Sequence, residues 1–232
     1  MAGPALADLL LVFLKEPRPG AVKSRLAARI GAEAAAAVYR AIADEAIRRT
    51  APRGDEYERF FLFDPPASRP QIQAWLSAQT LVAQVGGDLG ERMARAFADA
   101  FASGARRAAV IGTDVPAIAR EDVLDALESL DDHDVALGPA TDGGYYLIAL
   151  KGPEPELFRG IRWSSPDVLT GTLERAARRG LSVRVLRTLG DVDTIEDLAA
   201  EWETIRSLLN EEIAQRIDRT IRGRTTKIDR RG

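Results

Sequence analysis

Four cations, Lys15, Arg18, Lys23 and Arg25, crowd one short segment that also holds Pro17, Pro19 and Gly20. Like charges so close repel one another, and their crowding points to an anion as the partner, a phosphate chain above all. A Walker-type phosphate loop places a glycine directly before its lysine, so that backbone amides cradle the phosphates. Here Val22 precedes Lys23, and the segment carries no glycine fingerprint for a dinucleotide. It offers side-chain charge instead, from Lys15, Lys23 and Arg25, with Gly20 and Ser24 between them. A helix expected to begin near Ala21 adds its N-terminal amides.

Carboxylates recur at two further places. Asp114 stands in Gly112-Thr113-Asp114-Val115-Pro116, just past an apolar run. A carboxylate there can hold a divalent ion that bridges phosphate oxygens, or it can cap the next turn. Asp191 and Asp193 alternate along an extended stretch and so point the same way. That segment reads equally as the second half of a magnesium site and as a helix cap with Thr194.

These residues need elements to position them. Leu9 to Leu14 is a continuous apolar run, the mark of a buried strand in a parallel sheet, and it feeds directly into the cationic loop. Ala108 to Ile111 leads into Asp114, and Ser182 to Leu186 leads towards Asp191. Further strands are expected at Tyr57 to Phe63, Leu81 to Val85, Asp134 to Leu137 and Tyr145 to Leu150. Helical composition fills the intervals. Leu26 to Arg49 breaks at Gly31, and a short helix surrounds Ile72 to Leu76. A helix capped by Asp88 carries Leu89, Met93, Phe97 and Phe101 on one face, and others span Glu121 to Leu130 and Val168 to Arg179. Thr194 to Leu209 opens with a Thr194/Asp197 capping box. The alternation predicts a three-layer α/β/α sandwich with a mostly parallel sheet. In such sheets ligands bind beyond the carboxyl ends of the strands, where all three charged segments fall. One domain is expected over 1–210, followed by a basic extension at 211–232.

Composition excludes several chemistries. The 232 residues carry a net charge of −3, which argues against broad binding of nucleic acid. There is no cysteine and a single histidine, His133, so thiolate nucleophiles, disulfides and multi-histidine zinc sites are ruled out. No apolar run approaches the roughly 20 residues of a membrane span. No basic residue precedes the first apolar stretch, so no secretory signal is read and a cytoplasmic location is expected. His133 is expected on an exposed loop, Trp163 in packing, and one of Tyr145 and Tyr146 in the core with the other towards the pocket.

Five segments recur in order: Lys15-x-Pro17-x-x-Gly20-x-x-Lys23-Ser24-Arg25-Leu26, Gly87-Asp88-Leu89-Gly90-Glu91-Arg92-Met93, Gly112 to Pro116, Asp142-Gly143-Gly144-Tyr145-Tyr146 and Asp191 to Leu198. They resemble a bacterial family of GT-A-type transferases labelled DUF2064, also called cofC-like glycosyltransferases. That family is similar to the guanylyltransferase that activates phospholactate in coenzyme synthesis. The resemblance implies a nucleotide-diphospho-sugar transferase fold with the basic loop around a triphosphate. It places Mg2+ (or Mn2+) on Asp114 and Asp193, Gly87, Asp88 and Arg92 near the base or ribose, and Asp142, Gly143 and Gly144 near the acceptor. Two departures stand out. The glycine-rich start of sugar nucleotidyltransferases is replaced by the Pro17/Pro19 loop, and the Asp-x-Asp of many glycosyltransferases is absent, since Pro116 lies two places beyond Asp114.

The function expected is transfer of a nucleotidyl group from a nucleoside triphosphate to a phosphorylated acceptor, with pyrophosphate released. Lys23 and Arg25 would act on the phosphates, assisted by Lys15. The alternatives are glycosyl transfer from a nucleotide-sugar, with Asp142 as base, and a nucleotide-binding domain without turnover. The partners expected are the nucleotide and a small-molecule acceptor, without nucleic acid or membrane; a homo-oligomer is left open.

Overall fold

The computed structural model describes residues 7–228. The elements run β1 (Asp8–Lys15), α1 (Ser24–Ile30), α2 (Ala32–Arg49), β2 (Glu58–Asp64), α3 (Arg69–Trp75), β3 (Thr80–Ala83), α4 (Leu89–Ala102) and β4 (Arg107–Ile111). They continue with α5 (Arg120–Ser129), β5 (Val135–Pro139), β6 (Tyr145–Leu150), α6 (Val168–Arg178), β7 (Val183–Val185), α7 (Ile195–Ala200), α8 (Trp202–Arg206) and α9 (Glu211–Ile228). Among the described residues no helix is long and apolar enough to cross a membrane.

The seven strands form one sheet in the order β3-β2-β1-β4-β6-β5-β7. β6 runs antiparallel to both of its neighbours, β4 and β5, and every other pairing is parallel. The apolar run of β1 is buried on both faces because helices cover both. Leu10, Val12 and Leu14 pack with Ala46, Ile72, Val123 and Leu127, from α2, α3 and α5. Leu9, Leu11 and Phe13 face the other way, onto Met93, Ala96 and Phe97 of α4. Each such side chain contributes about 1.5–3 kcal/mol by leaving water, so the α/β/α sandwich rests chiefly on this double burial.

Local sequence explains the interruptions. Gly31 separates α1 from α2 at φ +87°, a conformation that disfavours any residue with a Cβ. Asp88 caps α4 by accepting the Glu91 amide at 2.8 Å. Thr194 and Asp197 form the expected capping box at the start of α7. The helix expected from Thr194 to Leu209 divides at Glu201 into α7 and α8. The first helix begins at Ser24 rather than near Ala21. Gly20 at φ +80° and the Ala21 amide bonded to Arg18 O make residues 18–21 a turn, and Lys23 is itself left-handed.

Beyond residue 210, Ala214 and Ile217 of α9 are fully buried among Leu26, Ile30, Val38, Leu198 and Trp202. This cluster closes the outer side of α1 and α2 and is shared by α7 and α8.

Candidate functional site

The order β2-β1-β4 brings successive crossovers to opposite sides of β1, so the connections leaving β1 and β4 diverge. Such a reversal opens a crevice at the strands' carboxyl ends. β1 pairs with β2 as far as Lys15↔Asp64, whereas its pairing with β4 stops at Val12↔Ile111. Beyond that point Gly112 donates its amide to Tyr146 O at 3.2 Å, so the chain stays with β6. Phe13, Leu14 and Lys15 therefore overhang the end of β4, and the crevice lies beside them.

The basic loop and the carboxylates meet at this crevice. Lys23 Nζ lies 2.5 Å from Asp114 Oδ1, with the lysine side chain 5% exposed and the aspartate 51% exposed. Lys23 achieves this from the left-handed region, at φ 50°. Arg25 Nη1 reaches Asp193 Oδ2 at 3.3 Å from an exposed position. The Asp193 segment is anchored by its neighbour, since Val192 donates its amide to Asp114 O at 3.1 Å. Ser24 opens α1 and is exposed. Arg18 turns outwards near Glu16, at 4.0 Å.

A buried hydroxyl stitches the two strand ends. Tyr39, on α2, accepts the Lys15 amide at 2.9 Å, lies 3.3 Å from Lys15 O and shares a hydrogen bond of 3.1 Å with Thr113 Oγ1. Thr113 also reaches Phe13 O at 3.4 Å. Burial above all, and then the negative charge of Asp114, push the Tyr39 phenol well above its ordinary value, so it remains a neutral donor. The sequence reading missed this residue. Its only signal is a polar tip on the otherwise apolar buried face of an alanine-rich helix.

Asp191 lies beside Asp193, with Thr141 Oγ1 at 3.3 Å from its Oδ1. Burial, then the charge of Asp142, raise its pKa, and Lys23 partly opposes them. The Asp142-Gly143-Gly144 turn joins β5 to β6 at the same rim. Asp142 Oδ1 accepts the Gly144 amide at 2.8 Å, and Gly143 is left-handed at φ +89°. A Cβ on Gly143 would stand 2.2 Å from Pro166 O, so this turn is seated directly on the 162–167 segment.

Gly87, Asp88 and Arg92 build a separate shoulder of the rim. Arg92 donates to Asp64 Oδ2 at 2.7 Å and to Gly87 O at 3.0 Å, while the Gly87 amide donates to Glu91 at 2.7 Å. The shoulder is thus tied to the end of β2. Trp163 packs on it: a Cβ on Gly90 would lie 2.6 Å from the indole. One of the two tyrosines is expected in the core and the other at the pocket; both are in packing. Tyr146 is buried and donates to Arg187 O at 3.1 Å, and Tyr145 packs on the opposite face of the sheet, so neither faces the crevice. His133 is half-buried, with Nδ1 3.1 Å from Ser129 O, at the far end of β5.

Among the described residues, no three or more acidic, histidine or cysteine side chains gather as a metal cage. Magnesium bound with a phosphate chain needs no cage: one or two carboxylates suffice, with waters and phosphate oxygens completing the shell. Asp114 and Asp193 fit that kind of site, being hard oxygen donors at neighbouring backbone positions, with Asp114 open to solvent.

Residues 47–165 match the family described as "Uncharacterized protein conserved in bacteria (DUF2064)". A solved protein from Desulfovibrio desulfuricans G20, provisionally named a nucleotide-diphospho-sugar transferase, is 34% identical with a TM-score of 0.84, over 93% of this chain and 97% of that one. A 2-phospho-L-lactate guanylyltransferase of Methanopyrus kandleri is 36% identical over 94 residues, which is 38% of this chain and 46% of that protein. That match thus spans just under half of the relative's length. A cytidylyltransferase from Leptospira borgpetersenii shares the fold alone, at 12% identity and a TM-score of 0.56, over 95% of this chain and 96% of that one.

Proposed function

The chain belongs to the bacterial family DUF2064, and from that premise we propose that it is a nucleotidyltransferase acting on a nucleoside triphosphate and a phosphorylated small acceptor. An acceptor phosphate oxygen attacks the α-phosphorus, the bond from the α-phosphorus to the bridging oxygen breaks, and pyrophosphate leaves. A phosphate nucleophile is already anionic and needs no strong base, which suits a chain whose single histidine lies at the opposite end of β5. The chemistry then rests on holding the reactants in line and offsetting charge.

The observation that carries this reading is the approach of Lys23 to Asp114 at the divergence of β1 and β4, which joins phosphate-binding charge to a carboxylate. In the proposal Lys15, Lys23 and Arg25 hold the phosphates, with Gly20 and Ser24 giving the loop its course. Mg2+ (or Mn2+) on Asp114 and Asp193 would supply Lewis-acid charge to the phosphate oxygens. Gly87, Asp88 and Arg92 border the base or ribose, and Asp142, Gly143 and Gly144 border the acceptor. The named guanylyltransferase supports nucleotidyl transfer. The name of the Desulfovibrio protein keeps a nucleotide-sugar as the second reading, with Asp142 as its base.

Thermal denaturation with nucleoside triphosphates and nucleotide-sugars, each with Mg2+ or with EDTA, tests the assignment. Saturation at 100-fold over Kd should add about 2.7 kcal/mol to stability. A triphosphate should stabilise the protein more with Mg2+, and Lys23→Ala should abolish the effect. Stabilisation by nucleotide-sugars alone, or indifference to Mg2+, would contradict it.

A further inference from the structure

Past Val12, β1 has no strand beside it on the β4 side, yet Lys15 must hold its place because the basic loop springs from it. Tyr39 supplies what the sheet does not. The Lys15 amide donates to its hydroxyl at 2.9 Å, and the same oxygen meets Thr113 Oγ1 at 3.1 Å. A hydroxyl has one hydrogen and two lone pairs, and these contacts, with Lys15 O at 3.3 Å, engage all three. The ring packs with Ala36, Ala43 and Val22, the residue that precedes Lys23 in the loop. One side chain therefore touches the root of the basic loop, its far limb and the residue next to Asp114.

We propose that Tyr39 is a positioning residue for the nucleotide site: its hydroxyl, shared between Lys15 and Thr113, fixes the span between the phosphate-binding loop and the Asp114 carboxylate. The inference rests on the nucleotidyltransferase reading and deepens it. Without the hydroxyl, the loop keeps its cations and Asp114 keeps its charge, but the link from Lys15 to Thr113 is gone, leaving only the long 3.4 Å contact of Thr113 with Phe13 O. Binding that uses the loop alone should survive, and binding that needs loop and carboxylate together should weaken. Tyr57 provides the contrast. It is also buried, and it donates to Thr50 O at 2.8 Å, but at the entry to β2 on the opposite rim.

Calorimetric titration of GTP and CTP, with Mg2+ and with EDTA, into wild type, Tyr39→Phe, Thr113→Val and Tyr57→Phe separates the possibilities. Wild type should bind one or both nucleotides more tightly with Mg2+. Tyr39→Phe should keep the EDTA affinity within about twofold and lose about fivefold of the Mg2+ enhancement, the size of one hydrogen bond. Thr113→Val, which removes the other half of the bridge, should do the same and decides the matter if Tyr39→Phe does not fold. Tyr57→Phe should lower the melting temperature and leave the Mg2+ enhancement unchanged. An intact enhancement in Tyr39→Phe or Thr113→Val, or an equal loss in Tyr57→Phe, overturns the role of Tyr39 alone. A wild type that binds neither nucleotide, or binds them without regard to Mg2+, overturns the nucleotide reading and this inference with it.

Discussion

Lys23 combines two costs that chains usually avoid. Its backbone is left-handed at φ 50°, and its ammonium is almost wholly buried against Asp114. A residue with a Cβ loses about 1–2 kcal/mol in that conformation. Replacing it therefore separates strain from charge. Lys23→Gly should melt about 2–4 °C above Lys23→Ala, because glycine relieves roughly 1 kcal/mol of the strain. Equal melting temperatures would show that the loop relaxes freely. Both variants lose the cation, and so does any triphosphate contact that depends on it. Pyrophosphate release should fall about 100-fold or more in Lys23→Ala and in Asp114→Ala, equivalent to roughly 3 kcal/mol of transition-state stabilisation. Unchanged turnover in both would remove these residues from the chemistry. Sequence alone put Lys15, Lys23, Asp114 and Asp193 on one rim, because strand ends in a parallel sheet share a side. It was silent on Tyr39, since a helix position reads as apolar packing until its partners on other elements are known.

Elements carry these residues, and two of their joints are testable. The Gly143 turn sits against Pro166 in a left-handed conformation with no room for a Cβ. Gly143→Ala should cost about 2–3 kcal/mol and lower the melting temperature by roughly 4–10 °C in calorimetry. At the opposite rim Asp134 fixes edge strand β7 to β5 through the Ser182 hydroxyl at 2.7 Å and amide at 2.8 Å, with Lys151 at 2.9 Å. Those partners, the Ser182 hydroxyl first, lower its pKa from 3.8 to about 2. A depressed carboxylate favours the folded chain above its unfolded pKa, and the contribution disappears as pH falls through the folded value. Asp134→Asn should therefore be less stable than wild type at pH 7, with the gap closing between about pH 5 and pH 2. A gap independent of pH, in denaturant titrations, would exclude this origin. The strand and helix alternation was readable from the apolar runs. The reversed direction of β6 is not written in the run itself, since Tyr145 to Leu150 is covered on both faces; its sign lies in the Thr141 to Gly144 turn, which is too short for a parallel crossover from β5.

At the scale of the molecule, the sheet order explains why scattered segments form one site. Chain crossovers leave β1 and β4 in opposite directions, and past Ile111 the overhang of β1 is joined to the β4 end by Tyr39 rather than by the sheet. α9 adds to this frame from outside, since Ala214 and Ile217 complete the cluster behind α1, the helix that follows Lys23. A net charge of −3, with the rim's Lys23 and Arg25 each paired to a carboxylate, gives the molecule no broad basic surface of the kind a polyanion needs. What composition could not convey is whether the α-phosphorus of a triphosphate or the anomeric carbon of a nucleotide-sugar is attacked, because both readings use the same cations and carboxylates. Phosphorus NMR of the products answers that directly. With a nucleoside triphosphate, Mg2+ and a panel of phosphorylated acceptors, the account predicts inorganic pyrophosphate appearing in step with a new diphosphate (P–O–P) linkage between nucleotide and acceptor. Nucleoside diphosphate released from a nucleotide-sugar, with no pyrophosphate from any triphosphate, would contradict it.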